Sequence, residues 1–258
     1  MKKLFLSAIV ATALLTSCKK DDTIKETVFK GQVQQFQHGK AWTWYEEDNN
    51  GNPFRLAIAI DDAAMNSLDT SRSTPGGHSH ENAVTLKFHP KVATTPFMHV
   101  NLDWNPHGHE PMFIYGKAHF DFHFYMMSEA ERLAIPPYQV DSVRFKNFPA
   151  PAYFPPTYIN PGGGVPQMGA HWVDFTSPEL NGSPFTQTFI YGSYNGKVNF
   201  YEPMITEEFI KANANFERAI PQPAKYQKTG YYPTKMRIAK ANGVTNILLE
   251  AFVLRQAS

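Results

Sequence analysis

The sequence predicts a mainly β fold of the α+β kind: an antiparallel β-sandwich or barrel-like domain with one or two short helices and a long Pro-rich loop. Three observations carry this expectation. The chain has 20 Phe, 12 Tyr and 4 Trp, with 42% hydrophobic against 18% charged residues, which is apolar mass enough to fold and too little charge for a disordered chain. Proline supplies 20 of 258 residues, above the usual ~5%, and it continues neither helices nor central strands. Apolar and polar residues alternate with period two in many short segments separated by turn signals.

The elements follow from these signals in chain order. Val28 to Gln37 and Lys40 to Glu46 alternate around His38-Gly39 and read as a hairpin. Asp48 to Pro53 is a dense turn, and Phe54 to Ile60 reads as a buried strand. Asp61 is suited to cap a short helix over Ala63 to Leu68. Residues 69 to 82 are loop by composition, and Val84 to His89 and Phe97 to Trp104 are the next strands. Ala118 to Met127 is the clearest strand, with Phe120, Phe122 and Phe124 on one side and His119, Asp121, His123 and Tyr125 on the other. Ser128-Glu129-Ala130-Glu131 fits a capping box whose helix must end before Pro136-Pro137. From there to Gly169 the chain is rich in Pro, Gly and Tyr, and His171 to Phe175 returns to strand. Phe185 to Tyr194 and Lys197 to Tyr201 flank Asn195-Gly196; Thr234 to Lys240 and Val244 to Leu254 flank Asn242-Gly243. Both pairs predict type I′ hairpins. Between them Glu207 to Phe216 reads as a helix.

The N-terminus predicts a compartment. Residues 1–17 combine Lys2 and Lys3 with an apolar run from Leu4 to Leu15 and a small-residue end. This is a signal segment, too short for the ~20 apolar residues that cross a bilayer. Leu15-Thr16-Ser17-Cys18 resembles the bacterial lipobox, which implies cleavage before Cys18 and its acylation as a membrane anchor. Residues 18–27 then form a tether and 28–258 a single β-rich domain. Lys19-Lys20-Asp21-Asp22 resembles an export tag of some Bacteroidetes surface lipoproteins. The expected location is therefore the outer membrane, facing the periplasm or the cell surface. Cys18 is the sole cysteine, so no intramolecular disulfide or thiolate metal cluster can form. Lys plus Arg (24) balance Asp plus Glu (23), which leaves no basic field for nucleic acid.

Chemistry concentrates in histidine. Eight of the ten His lie between positions 78 and 123. Asn105-Pro106-His107-Gly108-His109-Glu110-Pro111 is a stiff turn presenting imidazoles and a carboxylate, natural ligands of zinc and similar divalent metals. His119-Phe120-Asp121-Phe122-His123 puts two His and an Asp on one side of a strand backed by aromatics, although the polar outer face of an edge strand would give the same pattern. Met168-Gly169-Ala170-His171-Trp172 brings one more His after the long loop. His38, His78, His80 and His89 read as solvated or structural.

Trp104-Asn105-Pro106-x-Gly108-His109-Glu110-Pro111, His119-Phe120-Asp121-Phe122-His123-Phe124-Tyr125 and Val165-Pro166-x-Met168-Gly169-x-His171-Trp172-x-Asp174 together resemble the signature of a bacterial family of secreted proteins and lipoproteins whose domain has no assigned function. The resemblance spans roughly residues 95 to 175. It implies a mostly β domain outside the cytoplasm and carries no activity.

Three functional readings follow. The first is an extracytoplasmic metal site with His109, His119, His123 and His171 as ligand pool and zinc as first choice. Glu110 and Asp121 would orient ligands or act as general base on metal-bound water. Copper is conceivable beside Met112, Met126, Met127 and Met168. The second is a non-catalytic module for a glycan or small ligand, contacted by Tyr125 and Trp172 with Tyr138, Tyr153 and Tyr158, above a hydrogen-bonded His floor. The third, a cupin-like barrel, starts from His107-x-His109 but finds Phe113 where its Glu belongs. Serine nucleophile elbow, phosphate loop, dinucleotide fingerprint and EF-hand strings are absent from the sequence.

Overall fold

A computed structural model of the chain describes residues 27–71 and 82–258. The readings on residues 1–17, on Cys18, on the tether up to residue 26 and on His78 and His80 lie outside the described residues.

Two antiparallel sheets form a β-sandwich. The first runs β1 (Thr27–Phe36), β2 (Gly39–Glu47), β3 (Pro53–Asp61), β13 (Val244–Arg255), β12 (Gly230–Ala241), β11 (Asn215–Ala219) from edge to edge. The second runs β4 (Ala83–Lys87), β5 (His99–Asn105), β6 (His119–Tyr125), β10 (Lys197–Thr206), β9 (Gln187–Tyr194), β8 (Ala170–Asp174), β7 (Tyr158–Ile159). The two sheets keep separate edges and do not close, so the barrel-like alternative and the cupin-like reading both fail. At the Asn195-Gly196 and Asn242-Gly243 turns all four residues have positive φ, as a type I′ hairpin requires.

Between the sheets lies one aromatic-rich core. Tyr45, Leu56, Ile58, Ile60, Ile247 and Leu249 of the first sheet meet Phe120, Phe122, Phe124, Tyr191 and Tyr201 of the second. Face-to-face burial of this kind, at roughly 25 cal/mol per Å² of apolar surface removed from water, is what stabilises a sandwich.

Five short α-helices, α1 (Asp62–Met65), α2 (Met112–Tyr115), α3 (Glu129–Leu133), α4 (Ser142–Lys146) and α5 (Glu207–Ala212), decorate the sheets, more than the one or two the sequence suggested. Asp61 accepts from the Ala64 amide as the cap of α1, and Ser128 and Glu131 close the full capping box of α3. The helix expected over Glu207 to Phe216 stops at Ala212. Phe216 lies in β11, paired with Ile238, because alternation from Asn215 onward suits an edge strand better than a longer helix. The Pro-rich stretch is no featureless loop either: it carries α4, a 3-10 turn at Pro151–Tyr153 and β7.

The seven-stranded sheet is covered on its outer side too. A second apolar cluster of Tyr115, Tyr125, Met168, Val173, Phe185, Ile190, Phe200 and Met204 roofs it. β6 is therefore a central strand with all seven residues buried, not an edge strand with a solvated polar face. Its polar residues must be satisfied without bulk water.

A buried imidazole and carboxylate cluster as candidate metal centre

Strand register lines the polar residues up beneath that roof. On β5, His99, Asn101, Asp103 and Asn105 share one face and pair with Tyr125, His123, Asp121 and His119 of β6. On the other side of β6, Phe200 pairs with Tyr125 and Met204 with Asp121. Glu202, midway between Phe200 and Met204, faces the same way. Asp103, Asp121, Glu202, His109, His119 and His123 are all buried, at 4% exposure or less.

Two triads emerge. In the first, His119 Nε2 lies 3.1 Å from Asp121 Oδ1 and His109 Nε2 lies 3.3 Å from Asp121 Oδ2. In the second, His123 Nε2 lies 3.4 Å from Glu202 Oε1 and His171 Nε2 lies 3.7 Å from Glu202 Oε2. Within each triad the three ligand atoms all lie within 4.8 Å of one another. Two ligands of a tetrahedral zinc, each ~2.1 Å from the ion, are about 3.4 Å apart, so the four measured separations match the edges of such a coordination shell. Either triad could hold a divalent ion.

The outer nitrogens decide which way the rings are protonated. His119 Nδ1 is 2.6 Å from the Lys117 carbonyl and His109 Nδ1 is 2.9 Å from the Glu110 carbonyl. A carbonyl only accepts, so both Nδ1 atoms carry the proton and donate. His123 Nδ1 lies 3.2 Å from Asp103 Oδ2, and both Asp103 oxygens accept from the Asn101 amide at 2.8 and 2.7 Å. That again makes the ring nitrogen the donor. The inward Nε2 atoms of the three rings point at carboxylate oxygens. His119 Nε2, Asp121 Oδ1, His123 Nε2 and Glu202 Oε2 are buried atoms that form no hydrogen bond. An imidazole whose far nitrogen is tied to a carbonyl or carboxylate, with its near nitrogen converging on other ligands, is the pattern of metal-bound histidine.

The electrostatics are polarised in the same sense. Burial works to raise the Asp121 carboxyl, but His119 and His109 overcome it and hold it well below the usual carboxylate range. Burial, then the charges of Asp121 and Asp103, push the Glu202 carboxyl well up. Burial, with His123 and His109 adding to it, drives the His171 imidazole down to about 3, so this ring is neutral as a ligand must be. Burial opposes protonation of His109, yet Asp121 above all, with the Glu110 carbonyl and Asp103, brings its net shift upward.

Loops place the two ligands that lie off β6. Gly108, at φ +68, turns the chain after Asn105, and the His109 amide then bonds to the Tyr115 carbonyl. This sets the His109 ring edge-on to His119 with centroids 4.7 Å apart. Gly169 is held at φ +119 where a Cβ would strike the Ser193 carbonyl, a close approach only glycine permits. It leads directly into β8 and His171. Phe200 fills the space over Gly192 and packs against both His123 and His171, at 5.0 and 5.3 Å between centroids.

Of the candidates from sequence, His109, His119, His123, His171 and Asp121 are brought together. Glu110 is not: it is exposed, its carboxylate accepts from the Met112 amide, and only its carbonyl touches the cluster through His109. A role as base on a bound water has no geometric support. His107 is exposed, and His89 caps the 3-10 turn that follows it. Tyr125 and Trp172 are not arranged as open ligand contacts. Tyr125 is wholly buried, stacked on His99, its hydroxyl donating to the Gln167 carbonyl. Trp172 is stacked on Phe154 at 3.8 Å with its indole N–H given to Ser193. Tyr158 is buried likewise, with its hydroxyl donated to the Phe189 carbonyl.

Sequence reasoning missed Glu202, Asp103 and the amides of Asn101 and Asn105, the last donating to Asp121 at 2.9 Å. It also missed His99, which burial and Arg132 push down to about 4. No family model, curated protein or solved structure matches this chain, so the motif resemblance rests on its residues alone.

Proposed function

We propose that this protein binds divalent transition-metal ions, zinc first, in the cluster on the outer face of the seven-stranded sheet, and that it does so as a lipid-anchored protein outside the cytoplasm. The carrying observation is that inward imidazole nitrogens meet buried carboxylate oxygens at separations a tetrahedral ion would bridge, 3.1 to 3.7 Å. Zinc is preferred because the donors are nitrogen and oxygen. Copper of the thioether type is disfavoured by position: Met168 belongs to the apolar roof with Met127 packed against it, Met126 packs against the core between the sheets, and Met112 is exposed.

Protein purified without a histidine tag, analysed by elemental mass spectrometry, is expected to carry stoichiometric zinc or another divalent transition metal. His119→Ala and His123→Ala are each expected to lower the metal content while keeping the far-ultraviolet circular dichroism of a β protein. Folded wild-type protein that neither carries nor takes up metal would end the reading.

The anchor is read from Leu15 to Cys18. The expected result is that the protein partitions with membranes and that Cys18→Ser moves it to the soluble fraction. Membrane retention of that variant would remove the lipid from the proposal and leave the metal site untouched.

A further inference from the structure

We infer that the cluster is one two-ion centre, with His109, His119 and Asp121 holding one divalent ion, His123, His171 and Glu202 holding its neighbour, and a solvent-derived hydroxide shared between them. This inference rests on the metal-binding reading above and goes beyond it in nuclearity, in the open coordination positions and in the shared ligand.

Position is the first argument. Asp121 and His123 are i and i+2 on β6, hence on the same face and about 6.7 Å apart along the strand. Asp121 pairs with Met204 of β10, and Glu202 stands two residues before Met204 on that strand, so Asp121 and Glu202 are diagonal neighbours on one face. Diagonal positions lie ~7–8 Å apart at Cα, within reach of long side chains. Both triads extend inward from these two strands into the same covered space.

Charge balance is the second argument. Asp103, Asp121 and Glu202 are buried together, and among the described residues the ion-pair partners of Asp121 and Glu202 are imidazoles, not lysines or arginines. Once the carboxylates of both triads are ionised as ligands, three carboxylates against one divalent ion leave a net negative charge out of contact with water. Two divalent ions leave a single positive charge, which one hydroxide cancels. Buried uncompensated charge is among the costliest features a fold can carry, so the donor set suits two ions better than one.

Ligand number is the third. Each triad supplies three protein atoms, one fewer than a closed structural zinc site and the same as a site with an open position. Asp103 adds what such ions ordinarily require behind a ligand: through His123 Nδ1 it forms a carboxylate–histidine relay, while Asn105 steadies Asp121 in the first triad. Two ions with facing open positions share solvent when they are ~3.5–4 Å apart, the arrangement of two-metal sites. The most exposed ligand side chain is His171, at 17%, at the start of β8.

The test is a titration of chelator-stripped, untagged full-length protein with Co²⁺, followed by elemental analysis and electron paramagnetic resonance. The expected result is two equivalents per chain, with the resonance intensity of the doubly loaded protein well below twice that of the singly loaded form because adjacent ions couple. His109→Ala and His171→Ala should each retain one equivalent with an uncoupled signal. A wild-type maximum of one equivalent would overturn the two-ion inference and leave the metal-binding reading standing. Two equivalents with additive, uncoupled signals would overturn the shared centre. No uptake at all by folded protein would instead overturn the metal-binding reading beneath it. Metal content of Glu202→Gln, which keeps the side-chain shape, guards against mistaking a misfolded alanine variant for a lost ligand.

Discussion

Stripping bound metal with a chelator is expected to lower the Tm of this protein by on the order of 10 °C, and adding back one divalent metal in excess should restore it. A ligand that binds only the folded chain, present at about a thousandfold over its Kd, adds roughly 4 kcal/mol to stability. For a domain of this size each kcal/mol moves Tm by about 2–4 °C. The structural reason is specific to the second sheet. β5, β6 and β10 are neighbours at its centre, and their outward residues converge as imidazoles and carboxylates. Removing cations from among them leaves mutual repulsion in the middle of the fold, whereas an exposed metal site would leave only solvated side chains. Calorimetry of stripped and reloaded protein at one fixed metal concentration measures the difference. A Tm unmoved by stripping would mean that the cluster is content without a cation.

Much of this site was legible because a strand repeats every two residues. His119, Asp121 and His123 had to share a side once β6 was recognised, and the three Phe between them had to point to the core. What periodicity within one segment could not supply was burial of both faces. The roof comes from Tyr115, Met168 and Phe185, distant in sequence, so the polar side of β6 looked equally like a solvated edge. The same period runs through His99, Asn101, Asp103 and Asn105, and its meaning was missed because no aromatic row on the opposite side drew attention to it; Val100, Leu102 and Trp104 make a less uniform face. Glu202 was hidden for another reason. Pro203 has no N–H, which normally ends or marginalises a strand, so the strand was expected to stop at Tyr201. β10 runs on to Thr206 because its β9 side pairs through Glu202 and Pro203, while on the β6 side the ladder skips both residues. The skipped rung is the one that places Glu202 beside His123. Glu110 failed for the converse reason: adjacency to His109 suggested a shared role, but consecutive residues on a turn point apart, and its carboxylate turns back to the start of α2.

Glu202→Gln is expected to separate metal binding from fold stability more sharply than any other single change, weakening the second ion by 100-fold or more while leaving the stripped protein almost as stable as before. Losing a residue that only supports a metal ligand costs about 10–100-fold in affinity, and Glu202 is closer than that: it lies between both imidazoles of its triad. In the stripped protein the balance differs. Among the described residues Glu202 pairs with no lysine or arginine, burial and the neighbouring Asp121 and Asp103 already favour its uncharged form, and an amide occupies the same volume, so the substitution removes no packing and leaves no cavity. Had the cluster been an ion-pair network built to hold the sheets together, deleting one buried charge would cost about 3–5 kcal/mol in the stripped state, a Tm loss comparable to that of chelation itself. The two accounts therefore part on one comparison: Tm with and without metal for wild type and Glu202→Gln. A shrunken metal-dependent gain on an unchanged metal-free Tm marks Glu202 as a ligand, whereas a large fall in the metal-free Tm marks it as scaffold and removes the second triad as a metal site.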